Sequence, residues 1–335
     1  MKATGYNKNL PIDHENSLQD IEIETPKATG KDLLVEIKAI AVNPVDYKIR
    51  QGREPKDGNW EIIGWDATGI VKEIGDEVSL FKVGDEVWYA GDLTRHGSNA
   101  QYQLVDERIV GNKPKSLSFG EAAALPLTSL TAWELLFERM QVDKNDADKS
   151  ILVIGAAGGV GSILVQLVKK LTKLKVIGTA SREETVSWLK GLGADLTINH
   201  RARLSDEFAK QNLSEVDYVI SLNATDQHLE EIAKVIKPQG KFGFIDDPKI
   251  LNAMVFKRKT VSIHTELMFT RSLFQTSDMI EQHNILNEVS KLIDQGVLQT
   301  TVGEHFGKIN AENLRRAHAL LESHKAKGKI VLEGF

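Results

Sequence analysis

Apolar positions in the first third of the chain come in short runs broken by turns. Leu33-Leu34-Val35-Glu36-Ile37-Lys38-Ala39-Ile40-Ala41-Val42 reads as a strand, and Thr68-Gly69-Ile70-Val71-Lys72-Glu73-Ile74-Gly75 as another. A turn-bearing segment, Val83-Gly84-Asp85-Glu86-Val87-Trp88, follows them. β-Branched residues between turn residues predict a β-rich domain over residues 1 to about 120. From about 121 to 267 the rhythm changes to strands alternating with helices, the pattern of a parallel sheet covered on both faces. Candidate strands are Ile151–Ile154, Lys175–Thr179, Leu196–Ile198, Tyr218–Leu222, Lys241–Ile245 and Thr260–His264. They make up the set of six that a full doubly wound nucleotide-binding sheet needs. Beyond about 268 an amphipathic segment (Ile285, Leu286, Val289, Leu292, Ile293) precedes strand-like pieces, and this tail is expected to complete the first domain. The predicted fold class is therefore α/β, with a discontinuous β-rich domain (1–120 and 268–335) around a parallel-sheet domain (121–267).

The densest chemistry lies directly after Ile151-Leu152-Val153-Ile154. Gly155-Ala156-Ala157-Gly158-Gly159-Val160-Gly161 leads into an apolar-periodic segment at Ile163, Leu164, Leu167, Val168 and Leu171. Strand, glycine-rich turn and helix in that order aim a helix N-terminus and backbone amides at an anion, which suits a dinucleotide pyrophosphate. Ala157, Gly158, Gly159, Val160 and Gly161 are the candidate cradle. Gly158 admits close approach of the phosphates, and Gly161 close packing of helix on strand. The strict G-x-G-x-x-G pattern fails at Ala156, so the motif depends on its surroundings.

Those surroundings also address the choice of cofactor. An acid at the end of the second strand would bind a free ribose 2′-hydroxyl, and a positive charge would accommodate a 2′-phosphate. Here Lys175-Val176-Ile177-Gly178-Thr179 runs into Ala180-Ser181-Arg182, with no acid at the strand end. Thr179 and Ser181 offer hydroxyls and Arg182 a bidentate phosphate partner, which favours NADP(H). The competing reading is structural: Ser181 with Glu184 forms a capping box, and Arg182 faces water.

Composition narrows the field. The 335 residues are 41% hydrophobic and 27% charged, with a net charge of −5. No basic excess suggests nucleic acid, and no apolar run approaches the ~20 residues that span a bilayer. The sequence near Met1 lacks the apolar core of a signal peptide, so a cytoplasmic location is expected. Cysteine is absent, which removes disulfides and thiolate ligands.

In order and spacing, a series of fragments resembles the medium-chain dehydrogenase/reductase superfamily over essentially the whole chain. They are Val42-Asn43-Pro44-Val45-Asp46, Gly64-Trp65-Asp66-Ala67-Thr68-Gly69, Gly97-Ser98-Asn99-Ala100, Leu125-Pro126-Leu127-Thr128, Gly155–Gly161, Thr179-Ala180-Ser181-Arg182, Ile245-Asp246-Asp247-Pro248 and Gly328-Lys329-Ile330-Val331-Leu332. Within that superfamily the chain is similar to the zinc-independent quinone oxidoreductase group, the zinc-type alcohol dehydrogenase-like proteins. The resemblance implies a GroES-like catalytic domain joined to a Rossmann domain. It also implies a homodimer paired through sheet edges, and hydride transfer from NADPH to a small quinone or α,β-unsaturated carbonyl. Zinc-dependent alcohol dehydrogenases carry G-H-E with a ligating histidine, where this chain has Gly64-Trp65-Asp66, so no metal site is expected. The nine histidines contain no H-E-x-x-H, and His318 and His324 read as surface or hydrogen-bonded structural residues.

The same resemblance places Asn43 near nicotinamide and substrate, with turn closure before Pro44 as its structural alternative. It places Thr128 at the nicotinamide or its ribose, with helix capping as the alternative. Trp65 would line an apolar pocket or simply pack in the core. Tyr47 is the nearest proton donor, since a phenol can protonate an enolate. His200 would sit by the adenosine phosphate, Asn223 and Ile245 at carboxyl ends of sheet strands, and Lys329 near the cofactor. Asp46 and Arg50, four apart after Pro44, read as an intrahelical ion pair. Two other functions remain open on sequence: a non-enzymatic NADP(H)-binding sensor and a metal-dependent alcohol dehydrogenase.

Overall fold

The computed structural model describes residues 1–335 apart from Asp57. In chain order the first strands are β1 (Lys2–Gly5), β2 (Gln19–Glu22), β3 (Asp32–Val42), β4 (Ala67–Ile74), β5 (Glu86–Tyr89), β6 (Tyr102–Asp106) and β7 (Val110–Asn112). They are followed by β8 (Ser150–Ile154), β9 (Lys175–Thr179), β10 (Leu196–Ile198), β11 (Val216–Ser221), β12 (Ile236–Phe244) and β13 (Ser262–Thr265). The last two are β14 (Val302–His305) and β15 (Lys329–Glu333). The helices used below are α1 (Pro44–Gly52), α2 (Phe119–Ala123), α3 (Pro126–Trp133), α4 (Gly159–Leu171), α5 (Glu183–Leu192), α6 (Leu204–Lys210), α7 (Thr225–Val235), α8 (Thr270–Leu273), α9 (Glu281–Asp294) and α10 (Ala311–Glu322).

Two compact units emerge, Met1–Leu130 with Phe269–Phe335, and Thr131–Met268. The first is built on a seven-stranded sheet of order β14-β15-β3-β4-β5-β7, with β6 also paired to β3. β3 organises it: β4 lies antiparallel along most of its length, β6 pairs with Asp32–Glu36, and β15 with Ala39–Val42. The tail therefore returns to this sheet through β15. The unit runs to Leu130 instead of stopping near 120, because α2 and the start of α3 are bonded into it. Thr68 Oγ1 donates to the Phe119 carbonyl, Gly120 N–H to Glu333, and Leu127 N–H to Asp66.

The second unit is a six-stranded parallel sheet of order β10-β9-β8-β11-β12-β13. Chain order reverses direction at β8 and β11, the doubly wound topology whose ligands sit beyond the carboxyl ends of the strands. All six predicted strands are present, with β12 starting five residues earlier than the pattern placed it. Leu152, Ile154, Ile177, Val219, Phe242 and Phe244 pack at the sheet's centre, as expected of strands buried on both faces. Among the described residues no helix is long and apolar enough to cross a membrane.

Candidate functional site

In the second unit, β8 ends at Ile154 and the chain turns at Gly155, whose φ of +77° lies in the left-handed region. A Cβ there would also meet Asn223 Oδ1 at 2.6 Å, so Asn223, just beyond β11, lies over the turn. Gly155 N–H donates to Thr179 Oγ1 at 3.1 Å, which ties the loop to the end of β9. Gly158 is the N-cap of α4 with no side-chain cap, leaving the first-turn amides without intrahelical acceptors. Gly161 is needed for packing, since a Cβ would stand 2.3 Å from the Ala156 carbonyl oxygen. Gly158 is not so constrained, its nearest neighbour being Gly155 O at 3.4 Å. Ala157, Gly159 and Val160 complete a half-buried, side-chain-poor concavity at a helix N-terminus. That backbone cradle suits a pyrophosphate.

Beside it, α5 begins one residue later than the sequence pattern suggests. Arg182 is the N-cap, and its N–H donates to Thr185 Oγ1 at 3.3 Å while that hydroxyl donates back to the Arg182 carbonyl at 2.8 Å. The Ser181–Glu184 box of the competing structural reading is replaced by one between Arg182 and Thr185, whose hydroxyl serves both backbone groups. Ser181 is half-buried and the Arg182 side chain is exposed. Asn199 and His200 follow β10, and His200 keeps a buried Nδ1 with no partner. Burial, then the charges of His228 and Arg201, depress the His200 pKa. At the end of β12, next to Ile245, the Asp246 carboxylate accepts from Thr225 N–H and Oγ1 and so caps α7.

The first unit holds a buried polar cluster. Asn43 stands between β3 and α1 and caps that helix, with Asp46 Oδ2 accepting its N–H at 2.8 Å. The Asn43 amide donates to Asp66 Oδ2 at 2.8 Å and to the Trp65 carbonyl at 3.1 Å. Its oxygen accepts from the Lys329 ammonium, which also donates to Asp66 Oδ2 at 2.7 Å. Asp66 Oδ1 accepts Leu127 N–H at 2.8 Å. Asn43, Asp46, Asp66 and Lys329 are at most 3% exposed. Both amide hydrogens of Asn43 are thus engaged inside the unit, on the Trp65 carbonyl and Asp66. Burial lifts the Asp46 carboxyl to about 7 against the pull of Asn43 N–H and Lys329. Burial also raises the Asp66 carboxyl, with Lys329 opposing.

Trp65 is fully buried, its indole N–H donates to the Asp92 carbonyl at 3.2 Å, and its ring meets Phe269 edge to face at 6.4 Å. Thr128 is buried and its hydroxyl donates within α3, to the Leu125 carbonyl at 3.1 Å. Tyr47 is half-buried on α1. The expected Asp46–Arg50 pair does not form. Asp46 turns back to the helix start, while the fully buried Arg50 reaches the Leu10 carbonyl and Glu322, each at 2.5 Å. His318 on α10 is not a surface residue: it is fully buried, and neither ring nitrogen has a partner.

Asp66, to which the sequence reading gave no role, proves to be the hub of the cluster. Its signal was present in the pairing of an aspartate inside Gly-Trp-Asp-Ala with a tail lysine. Sequence spacing alone does not bring residues 263 positions apart together.

A β-rich unit completed by its own tail, and a doubly wound sheet with a glycine cradle, define the alcohol-dehydrogenase-like class of oxidoreductase. Residues 29–129 match the family model "alcohol dehydrogenase GroES-like domain", and 192–332 match "zinc-binding dehydrogenase". A zinc-type alcohol dehydrogenase-like protein of Staphylococcus epidermidis is 38% identical over 99% of both chains. The chain belongs to the medium-chain dehydrogenase/reductase superfamily, among the zinc-type alcohol dehydrogenase-like proteins. A crystal structure from Rhizobium etli CFN 42, carrying the name zinc-dependent alcohol dehydrogenase, is 54% identical with a TM-score of 0.97, over 100% of this chain and 98% of that one. Escherichia coli quinone oxidoreductase complexed with NADPH is 25% identical with a TM-score of 0.84, over 99% of this chain and 100% of that one.

The donor set does not suit the zinc of those names. A catalytic zinc takes three protein ligands and an open position, drawn from Cys, His and carboxylate. There is no cysteine, and Trp65 stands beside Asp66 where an imidazole would be needed. Both Asp66 oxygens are already occupied by N–H donors. Among the described residues no group of three His, Cys, Asp or Glu is placed to hold a metal ion.

Proposed function

We propose that this protein is a zinc-independent, NADPH-dependent reductase of quinones or α,β-unsaturated carbonyls. The observation that carries the reading is the carboxyl end of β9, where Thr179-Ala180-Ser181-Arg182 presents hydroxyls and a guanidinium and no acid, next to the glycine cradle. A ribose 2′-phosphate would be held there by Ser181 and Arg182, with His200 alongside. The cradle amides of Ala157, Gly159, Val160 and Gly161 would take the pyrophosphate, and Asn223 and Ile245 are the further cofactor contacts we assign; Thr128 and Lys329, buried with their polar groups bonded inside the first unit, are left out of that set. The nicotinamide, when bound, supplies the hydride. Two electrons are delivered in that step, and the acceptor takes up a proton to become a hydroquinone or a saturated carbonyl.

The chain's own residues restrict which acceptors are suitable. With no Lewis acid, a simple aldehyde oxygen lacks the stabilisation that its reduction needs. A quinone or enone spreads the incoming charge over its own π system. Trp65, fixed by its N–H bond to Asp92 and by the Asn43 amide on its carbonyl, supports a flat apolar wall beside Phe269. Tyr47 is the proton donor we assign for enones, while the hydroquinone monoanion left by hydride transfer takes its one proton from water. We further expect a cytoplasmic homodimer paired through an edge strand of the parallel sheet, whose two edges are β10 and β13.

The test is oxidation of NADPH and NADH against a benzoquinone, a naphthoquinone, an enone and a simple aldehyde, on protein assayed for metal. Turnover of quinone or enone with NADPH in metal-free protein supports the reading. Tight NADPH binding with no turnover of any acceptor replaces it with a sensor.

A further inference from the structure

The polar cluster around Asp66 has the makings of a cation site whose cation is supplied by the protein itself. Four separate stretches of chain meet there: Asn43 after β3, Asp66 before β4, Leu127 in α3, and Lys329 opening β15. Lys329 reaches it because Gly328, at a φ of +58°, turns the chain into β15. Lys329 N–H is anchored on the Thr301 carbonyl at 2.8 Å, and the following residue, Ile330, pairs with Val42. The side chain then lies at the end of β3, beside Asn43.

Charges and lone pairs there are closely matched. Asp66 is the one carboxylate that the ammonium bonds, while Asp46 accepts Asn43 N–H and keeps an Oδ1 with no partner. Asp66 offers one oxygen to a backbone N–H and the other to Lys329 and Asn43. The Asn43 oxygen points its lone pair at the same ammonium. A buried carboxylate without a countercharge is costly, so some cation is required at this point.

We propose that Lys329 is the resident cation of this site: its ammonium occupies the carboxylate and amide oxygens that an exogenous cation would otherwise claim, so wild-type protein takes up no zinc at Asp66. This rests in part on the zinc-independent reading above, but it is tested without measuring turnover. The ammonium also fixes, through Asn43, the carbonyl of Trp65 and, through Asp66, the first turn of α3. A side-chain cation that cannot dissociate keeps this arrangement at any ambient metal concentration.

The test removes the ammonium and returns it from solution. Lys329→Ala should lower the thermal midpoint by about 10 °C, the loss expected for stripping one partner from a buried ion pair. A primary alkylammonium of matching length, n-butylammonium, should restore most of that loss, and n-butanol should restore none. Lys329→Ala/Asp66→Asn, which removes both charges, should recover much of the midpoint without any additive. Where the single variant does not fold alone, its refolding yield with and without n-butylammonium gives the same comparison.

Equilibrium dialysis of wild-type protein against zinc is the independent arm. No stoichiometric uptake is expected. Zinc uptake by wild type that Asp66→Asn abolishes would overturn the proposal, as would a Lys329→Ala midpoint equal to wild type. Rescue of Lys329→Ala by n-butanol to the same extent as by n-butylammonium would overturn it as well, since the site would then need bulk and not charge. Failure of the reductase assay leaves all these outcomes readable, so the two claims can fail separately.

Discussion

His318 should make the protein acid-sensitive in a way that one substitution removes. The side chain is fully buried on α10, its ring nitrogens have no partner, and the buried Arg50 guanidinium is the nearby charge. Burial first, and then that positive charge, hold its pKa at about 3 where 6.5 is normal. The folded state therefore keeps a neutral imidazole while the unfolded chain binds a proton below about 6.5. With more protons on the unfolded chain, stability falls as pH drops from 6.5 toward 3 and is intact above 6.5. A displacement of that size corresponds to a ceiling of about 5 kcal/mol. Between pH 7 and pH 5 the share lost is about 2 kcal/mol.

His318→Leu keeps a comparable volume and removes the titrating group. Denaturant unfolding of both proteins at pH 7 and pH 5 should give a wild-type loss larger than the variant's by about 2 kcal/mol, with unchanged m values. At pH 7 the variant should be at least as stable as wild type, because two unsatisfied nitrogens disappear. Equal pH losses in the two proteins would refute the reasoning. They would mean that His318 finds a proton acceptor, or water, on protonation.

Asp46 should act with the opposite sign. Its folded carboxyl titrates at about 7 against an ordinary 3.8, so stability falls as pH rises between those values, by at most about 4 kcal/mol. Asp46→Asn should flatten that decline in the same denaturation series, and a variant with the wild-type slope would count against the buried neutral acid. Arg182→Glu should weaken NADPH binding about 10- to 100-fold and spare NADH, as titrated by cofactor fluorescence; equal losses for both would remove Arg182 from the 2′-phosphate. The two glycines should separate by calorimetry and binding. Gly158→Ala should keep the wild-type melting temperature and lose cofactor affinity, whereas Gly161→Ala, driven against the Ala156 carbonyl, should melt earlier. Tyr47→Phe should slow enone reduction by about 100-fold or more and leave quinone reduction unchanged; equal effects on both would remove the phenol from proton transfer.

Legibility from sequence followed the range of the interaction. Strands β8 to β13 each carry β-branched, leucine or aromatic residues between turn signals, a local property, so all six were found, β12 with its start five residues off. The glycine cradle was equally local, since turn, helix start and the Gly161 packing constraint all lie within seven residues. The start of α5 was off by one residue because Ser181 and Thr185 are both good capping hydroxyls, and only the packed geometry chooses between them. Asp46 and Arg50 showed a regular helical spacing, yet long-range partners took both: Arg50 went to Glu322, 272 residues away. The buried cluster was visible only as unrelated residues. Nothing in the neighbourhood of Asn43 announces a lysine 286 positions later, and a Gly-Trp-Asp segment does not say which partners its acid will meet. His318 was misread for the same reason, since its burial is decided by the packing of α10 against α1.

The return of β15 to β3 also sets an order of assembly. On the ribosome, Asn43, Asp66 and Leu127 emerge well before Lys329, and the whole of Thr131–Met268 is made in between. The parallel-sheet unit has all its strands by then and is free to fold first. The other unit must wait, its sheet lacking two strands and its central acid lacking a counter-ion. Until the lysine arrives, the nascent chain carries an acid with donors in Asn43 and Leu127 N–H and no countercharge, so that region stays open to solvent and exposed to chaperones and proteases. Closure of β15 onto β3 is then both the last strand pairing and the last neutralisation, which makes native structure in this half all-or-none.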